Sequence, residues 1–445
     1  MIEEFPASPT VALPVELKDY SPPANPSLEE QETALRKGLG RAWQWAATGR
    51  LDREVLLAAC LGDWRFDKQC ETVRGNWLWN LIVQAEAQEF VHDRFLTATR
   101  QVDNETVGAY QTCQLLLHFA RWGSEQAREE LFRIVETAPW DDYPGIGTEE
   151  LMLLDGESGF LFSARALGRR LEREAWEWWA ANFAFDAEKL LGKARTVELL
   201  SASTDADIKR FHQLWLEATS TESPGTVPLR VEGLGFDDAL ATIGNQSSGI
   251  ALWNWGRQAT SAQLIEVFSR ILDSDDDGFI QLALQVFHDV APPSFDERLF
   301  SLCLHSNRTI SIRAYRALSH FILPEVREFA LQQIASGMSS KSIKLLAVNS
   351  RPGDEELIFS LLQLGGELDE IHWQLMACCE FIERNLRPAG ERLALLVYGE
   401  SPCQICRHRA FSFLTELGLA PYWMHDEYQF DAEQLAINED SDSQP

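Results

Sequence analysis

The feature that most constrains this chain is a recurrence between Ile280 and Phe411. Ile280, Ile312, Ile343, Trp373 and Ile405 each open a short apolar run at helical spacing, and successive openings lie 32, 31, 30 and 32 residues apart. A second helical pattern precedes each of the last four in step, within 296–300, 325–331, 355–359 and 391–395. Two amphipathic helices per unit at a near-fixed period specify stacked pairs, because one pair leaves an apolar side that only the next pair covers. In the first unit Ile280, Ala283, Leu284 and Phe287 fall at i, i+3, i+4 and i+7, while Phe279, Leu282 and Val286 occupy another side. A helix apolar on two sides expects two neighbours.

The rest of the chain follows the same logic with less regularity. Almost no period-two alternation occurs, so the expected fold class is all-α. Residues 1–27 are proline-rich and read as an extended leader, ended by Ser27 as an N-cap with Glu29 and Glu30 in the first turn. Residues 28–218 form a helical N-terminal region that carries a concentration of tryptophan, including Trp43, Trp45, Trp64, Trp77, Trp79, Trp122 and the run Trp176-Glu177-Trp178-Trp179. Rings at helical spacing are expected to fill gaps between packed helices, with one ring of the last run facing a groove or neighbour. Residues 219–235, with Pro224, Gly225, Pro228, Gly233 and Gly235, read as a linker; 236–430 hold the repeats; 431–445 read as a disordered acidic tail.

The segments Ser311-Ile312-Arg313-Ala314-Tyr315-Arg316-Ala317-Leu318 and Leu323-Pro324-Glu325-Val326-Arg327-Glu328-Phe329-Ala330-Leu331 resemble the helices of HEAT repeats. The resemblance runs from about Asp273 to Gly418, at a spacing tighter than the roughly 40 to 47 residues usual for that class. It implies an elongated, curved α-solenoid that serves as a scaffold or adaptor, and it implies no reaction.

Charge narrows the partner class. Lys and Arg number 39 against 68 Asp and Glu, a formal charge of −29. That field repels phosphate backbones, so nucleic acid is disfavoured and a basic protein partner fits the sign. No run approaches the roughly 18 uncharged apolar residues of a membrane span. The eight cysteines are scattered rather than set in a disulfide framework, which suits a reducing cytoplasm. No cofactor is expected, and the oligomeric state is not specified.

Three stretches carry sharper chemistry. Asp273-Ser274-Asp275-Asp276-Asp277-Gly278-Phe279-Ile280 begins like a calcium loop, but the twelfth position, which should supply a bidentate carboxylate, is Leu284. The expected reading is an inter-helix turn. In 63–74, Asp63, Asp67, Glu71 and Arg74 would share one face if helical, with Trp64 and Arg65 beside them, a candidate partner-binding surface. Pro402-Cys403-Gln404-Ile405-Cys406 offers a thiol pair at a helix start, where the helix dipole would lower a thiol pKa; His408 or His425 could complete a metal site, and Cys378-Cys379 point to different sides of their helix. Nucleotide-binding loops, zinc-protease and serine-hydrolase signatures are missing. A helical-toroid carbohydrate-processing enzyme is the alternative to a scaffold, with Asp141 and Asp142 as its carboxylate pair between Trp140 and Tyr143.

Overall fold

The computed structural model describes residues 16–100, 108–137, 145–171, 178–220, 234–243, 250–336 and 340–434. Among them the fold is all-α, with no strand. The helices are Leu28–Lys37 (α1), Arg41–Ala47 (α2), Arg53–Leu61 (α3), Gly75–Gln84 (α4), Gln88–Thr99 (α5), Ala109–Arg121 (α6), Glu125–Thr137 (α7), Thr148–Asp155 (α8), Glu157–Arg170 (α9), Trp178–Leu191 (α10), Lys193–Ala202 (α11) and Ala206–Ser220 (α12). They continue as Phe236–Ile243 (α13), Ile250–Gln258 (α14), Ser261–Asp273 (α15), Asp277–Ala283 (α16), Arg298–Cys303 (α17), Arg308–Leu318 (α18), Pro324–Ala335 (α19) and Ser340–Val348 (α20). The last five are Asp354–Leu361 (α21), Leu368–Arg384 (α22), Glu391–Glu400 (α23), Gln404–Glu416 (α24) and Tyr422–Tyr428 (α25). Two compact units result, one from Ser21–Pro224 with Pro421–Pro445, the other from Met1–Tyr20 with Gly225–Ala420.

In the first unit Ser27 caps α1 through a capping box with Glu30, satisfying two amides that the first turn leaves without helical partners. Its core gathers Leu35, Trp45, Leu56, Trp77, Leu81, Phe95, Phe119 and Leu131, all buried, and a second cluster joins Phe160, Phe183, Phe211 and Trp215. Each such side chain contributes roughly 1.5 to 3 kcal/mol on removal from water. Trp45 and Trp77 are therefore packing residues, whereas Trp122 is exposed. The side chains of Trp178 and Trp179, and all of Trp140, Asp141, Asp142, Tyr143, Trp176 and Glu177, lie outside the described residues.

The chain after α25 packs rather than trailing off. Phe430 stacks on Trp43 at 3.9 Å, and its carbonyl accepts from Trp77 Nε1 at 3.0 Å. Asp431 and Ala432, which composition places in the acidic tail, are buried: the Asp431 carboxylate accepts from Gly40 N–H at 2.5 Å, and Ala432 N–H donates to the Gly38 carbonyl at 3.0 Å. Residues 435–445 of that tail, like 221–233 of the linker, lie outside the described residues. Gly40 has no room for a side chain, since a Cβ there would sit 1.9 Å from the Glu427 carbonyl oxygen.

In the second unit every expected repeat segment overlaps a helix, although Asp296 and Glu297 precede α17 and the run from Ile280 leaves α16 at Ala283 to continue as a 3-10 turn over Leu284–Phe287. The later helix of each pair packs on its counterpart in the next: α16 on α18, α18 on α20, α20 on α22, α22 on α24. The earlier helices α19, α21 and α23 pack in the same sequence. A recurring lock holds the first layer. At the end of α18, His320 Nε2 meets the Phe287 carbonyl at 3.2 Å; past α20, Asn349 Nδ2 donates to the Phe321 carbonyl at 3.1 Å; past α22, Asn385 Nδ2 donates to the Ala347 carbonyl at 3.0 Å. Helix ends leave carbonyls without intrahelical partners, and each lock supplies one from the next unit. Ion pairs Arg327–Asp354, Arg387–Glu355 and Lys344–Glu380 add further cross-links.

The apolar openings are not equivalent, however. Ile280 and Ile343 are buried, but Ile312 is 46% and Trp373 48% exposed. In those two helices the buried register sits at Ile310 and Ala314, and at Leu375 and Cys379. The acidic run before α16 is a cap: Asp276 Oδ1 accepts from Gly278 and Phe279 N–H at 2.9 and 3.2 Å.

Candidate functional site

The stretch 63–74 is a loop, not a helix, so the shared face expected of it does not form. Asp63, Arg65, Glu71 and Arg74 are buried, and Trp64 and Asp67 half-buried. The Arg65 guanidinium grips Asp63 with two bonds of 2.9 and 2.7 Å and reaches the Glu71 carbonyl at 2.6 Å. Arg74 pairs with Glu71 at 2.7 Å and donates to the Leu35 and Arg36 carbonyls at 2.7 and 2.5 Å, capping the C-terminal end of α1. Arg36 in turn lies over the Trp64 ring. Burial works against the Asp63 carboxylate, but the Arg65 guanidinium outweighs it and holds the pKa below its ordinary value. The charges face one another inside the loop, where such pairs fix geometry more than they add stability.

The second cluster converges on different chemistry. Residues seven apart on a helix return to nearly the same direction after two turns, which places His372 and Cys379 on one side of α22. Cys403 is the N-cap residue of α24 and Cys406 lies one turn in, so both thiols emerge near the start of that helix. Because α22 packs against α24, the ligand-forming atoms of His372, Cys403 and Cys406 come within 4.8 Å of one another. Cys379 lies against Cys406, its thiol donating to the Cys406 carbonyl at 3.6 Å. All three cysteines are buried, and His372 is half-buried.

Surrounding groups hold this arrangement. Ser401 Oγ accepts from Cys403 N–H at 3.2 Å, fixing the turn that precedes α24. The fully buried Arg407 donates to the Pro402 carbonyl at 3.3 Å. Arg409 grips Glu383 with bonds of 2.7 and 2.6 Å, clamping α24 to α22 beside the thiols.

The lowered thiol pKa expected from the helix dipole does not occur. The Cys403 thiol is pushed up, first by its hydrogen bond with Cys406 and then by burial, and these exceed the opposing effect of His372. Cys406 is pushed up to about 12, first by its hydrogen bond with Cys379 and also by burial. All eight cysteines are free thiols. Protonated thiols are poor nucleophiles, and the segment 393–398 upstream of the pair belongs to α23.

The imidazole beside the pair is His372, in place of the His408 or His425 considered from the sequence. Cys379 is a direct neighbour of Cys406. Compared with protein-family models, curated proteins and solved structures, the chain matches none. No helix among the described residues is long and apolar enough to cross a membrane.

Proposed function

We propose that the chain is a non-enzymatic interaction scaffold, an α-solenoid of HEAT-like pairs that binds a basic protein partner on an acidic helical surface. The observation that carries this reading is the lock repeated at His320, Asn349 and Asn385. A polar bridge at the same place in successive units keeps equivalent surface positions in line, and a row of aligned helices is a surface that a protein can read. The sign of the partner follows from the charge of −29. On α19, Glu325 and Glu328 stand exposed. Complementary charge of this kind raises association rates and specificity more than affinity.

Affinity capture with the full chain at low and then moderate salt, alongside the double variant Glu325→Lys/Glu328→Lys, tests the reading. A basic protein retained by the native chain, shed as salt rises and lost with the variant, is the expected result, because exposed charge contacts are screened. Retention that ignores both salt and charge reversal would refute the acidic surface. Turnover of a small molecule by a chain with no retained partner would refute the scaffold.

A further inference from the structure

We propose that His372, Cys403 and Cys406, with Cys379 as fourth ligand, form a zinc site that staples α22 to α24. Three ligand-forming atoms within 4.8 Å of one another are already close to a shared coordination sphere. Tetrahedral zinc with Zn–S of about 2.3 Å and Zn–N of about 2.0 Å separates its ligands by roughly 3.5 to 3.8 Å, so drawing these groups together by about 1 Å suffices. The donor set is two thiols and an imidazole, with a third thiol against Cys406. Soft sulfur with borderline nitrogen selects Zn2+ over Mg2+ and Ca2+, which take oxygen ligands.

Ordinary core packing explains a buried cysteine one at a time, since free cysteine behaves as a small apolar residue. It does not explain two thiols and an imidazole from two helices meeting at one point, with a third thiol against one of them. The neighbours also hold the ligands in place. Ser401 and Arg407 order the turn that carries Cys403, and outer groups of this kind hold zinc ligands in place. On binding, each coordinating thiol releases its proton to solvent and the metal takes the sulfur lone pair, with no change of oxidation state. Four protein ligands leave no position for substrate, so the centre is structural. This inference is independent of the partner proposed above.

The full-length chain, reduced, loaded with zinc chloride and desalted, is analysed for metal, and cobalt chloride is used in parallel for absorption spectroscopy. The expected result is one zinc per chain and an intense thiolate-to-cobalt charge-transfer band, both lost in Cys406→Ser and in His372→Ala. Cys379→Ser is expected to weaken zinc retention against a chelator and to reduce the cobalt band. Circular dichroism of His372→Ala, whose half-buried ring can be removed without opening the core, separates a lost ligand from a lost fold: native helicity with no zinc supports the site. A native chain that leaves the column free of zinc would overturn the proposal, as would one whose bound zinc survives Cys406→Ser unchanged. Undiminished retention in Cys379→Ser would overturn the four-ligand centre.

Discussion

Glu150 lies on the first turn of α8 and is 6% exposed. Burial raises its pKa from 4.5 to about 7; the α8 backbone amide opposes this, and the neighbouring Glu149 adds to it. Cys113 of α6 feels the same carboxylate together with Glu130 of α7. In the unfolded chain the group loses its proton near 4.5, whereas in the fold it keeps it to about 7. Stability is therefore full below 4.5, falls between 4.5 and 7 as only the unfolded state ionises, and stays at the lower level above 7. At 1.36 kcal/mol per pKa unit, the loss sums to about 3 kcal/mol. Glu150→Gln replaces the neutral acid by a group of the same shape that does not titrate. Urea unfolding followed by tryptophan fluorescence, at pH 4.5 and pH 8, is expected to show a variant near native stability at the lower pH and more stable by up to about 3 kcal/mol at the higher. Other titrating groups, such as His118 with its pKa lowered to about 4 by burial, cancel in the difference between the two proteins. A difference that does not change with pH would refute the reasoning, since it would mean that the folded state ionises Glu150 as readily as the unfolded one.

Two further substitutions probe the framework. Asn385→Ala removes donors to the Phe381 and Ala347 carbonyls and leaves both helix ends short of a partner; a loss of roughly 1 to 3 kcal/mol in urea unfolding is expected, and a loss below about 0.5 kcal/mol would show that water replaces the lock. Gly40→Ala would bring a Cβ to 1.9 Å from the Glu427 carbonyl, so the segment holding the buried Glu427–Arg41 pair and the Phe430–Trp43 stack has to shift. Limited proteolysis is expected to cut the variant near 421–434 much faster than the native chain, and equal cutting rates would contradict the close approach.

The helical class and the positions of the repeat helices were legible because apolar spacing of 3.6 residues survives averaging over a window. The buried register was not, since Ile312 and Trp373 look like core residues in isolation and only packing against α16, α20 and α24 decides which side of each helix is covered. The loop at 63–74 failed for a related reason. Spacing of charges at i, i+4 and i+7 is necessary for a helical face but does not make a helix; here Asp67 instead bonds the amides of Gln69 and Cys70 at 3.0 and 3.1 Å, a local turn that competes with helix formation. One signal stood in plain view. Asn349-Ser350-Arg351-Pro352 and Asn385-Leu386-Arg387-Pro388 repeat Asn-x-Arg-Pro, and the asparagine of each closes a lock.

The thiol cluster follows from the same periodicity, used in a different direction. In a stack of equivalent units, residues one period apart in sequence stand side by side in space. His372 and Cys403 are 31 residues apart, inside the range of 30 to 32 that separates the helix openings. The histidine beside Cys403 therefore lies one period upstream and is not one of the histidines nearest in sequence. Arg409 and Glu383, 26 residues apart, and Lys344 and Glu380, 36 apart, obey the rule more loosely, as loops of unequal length require. The spacing that recurs in the sequence thus also separates two chemically matched residues that meet at one point. A single Cys-x-x-Cys in such a chain is best judged against the helix one repeat before it.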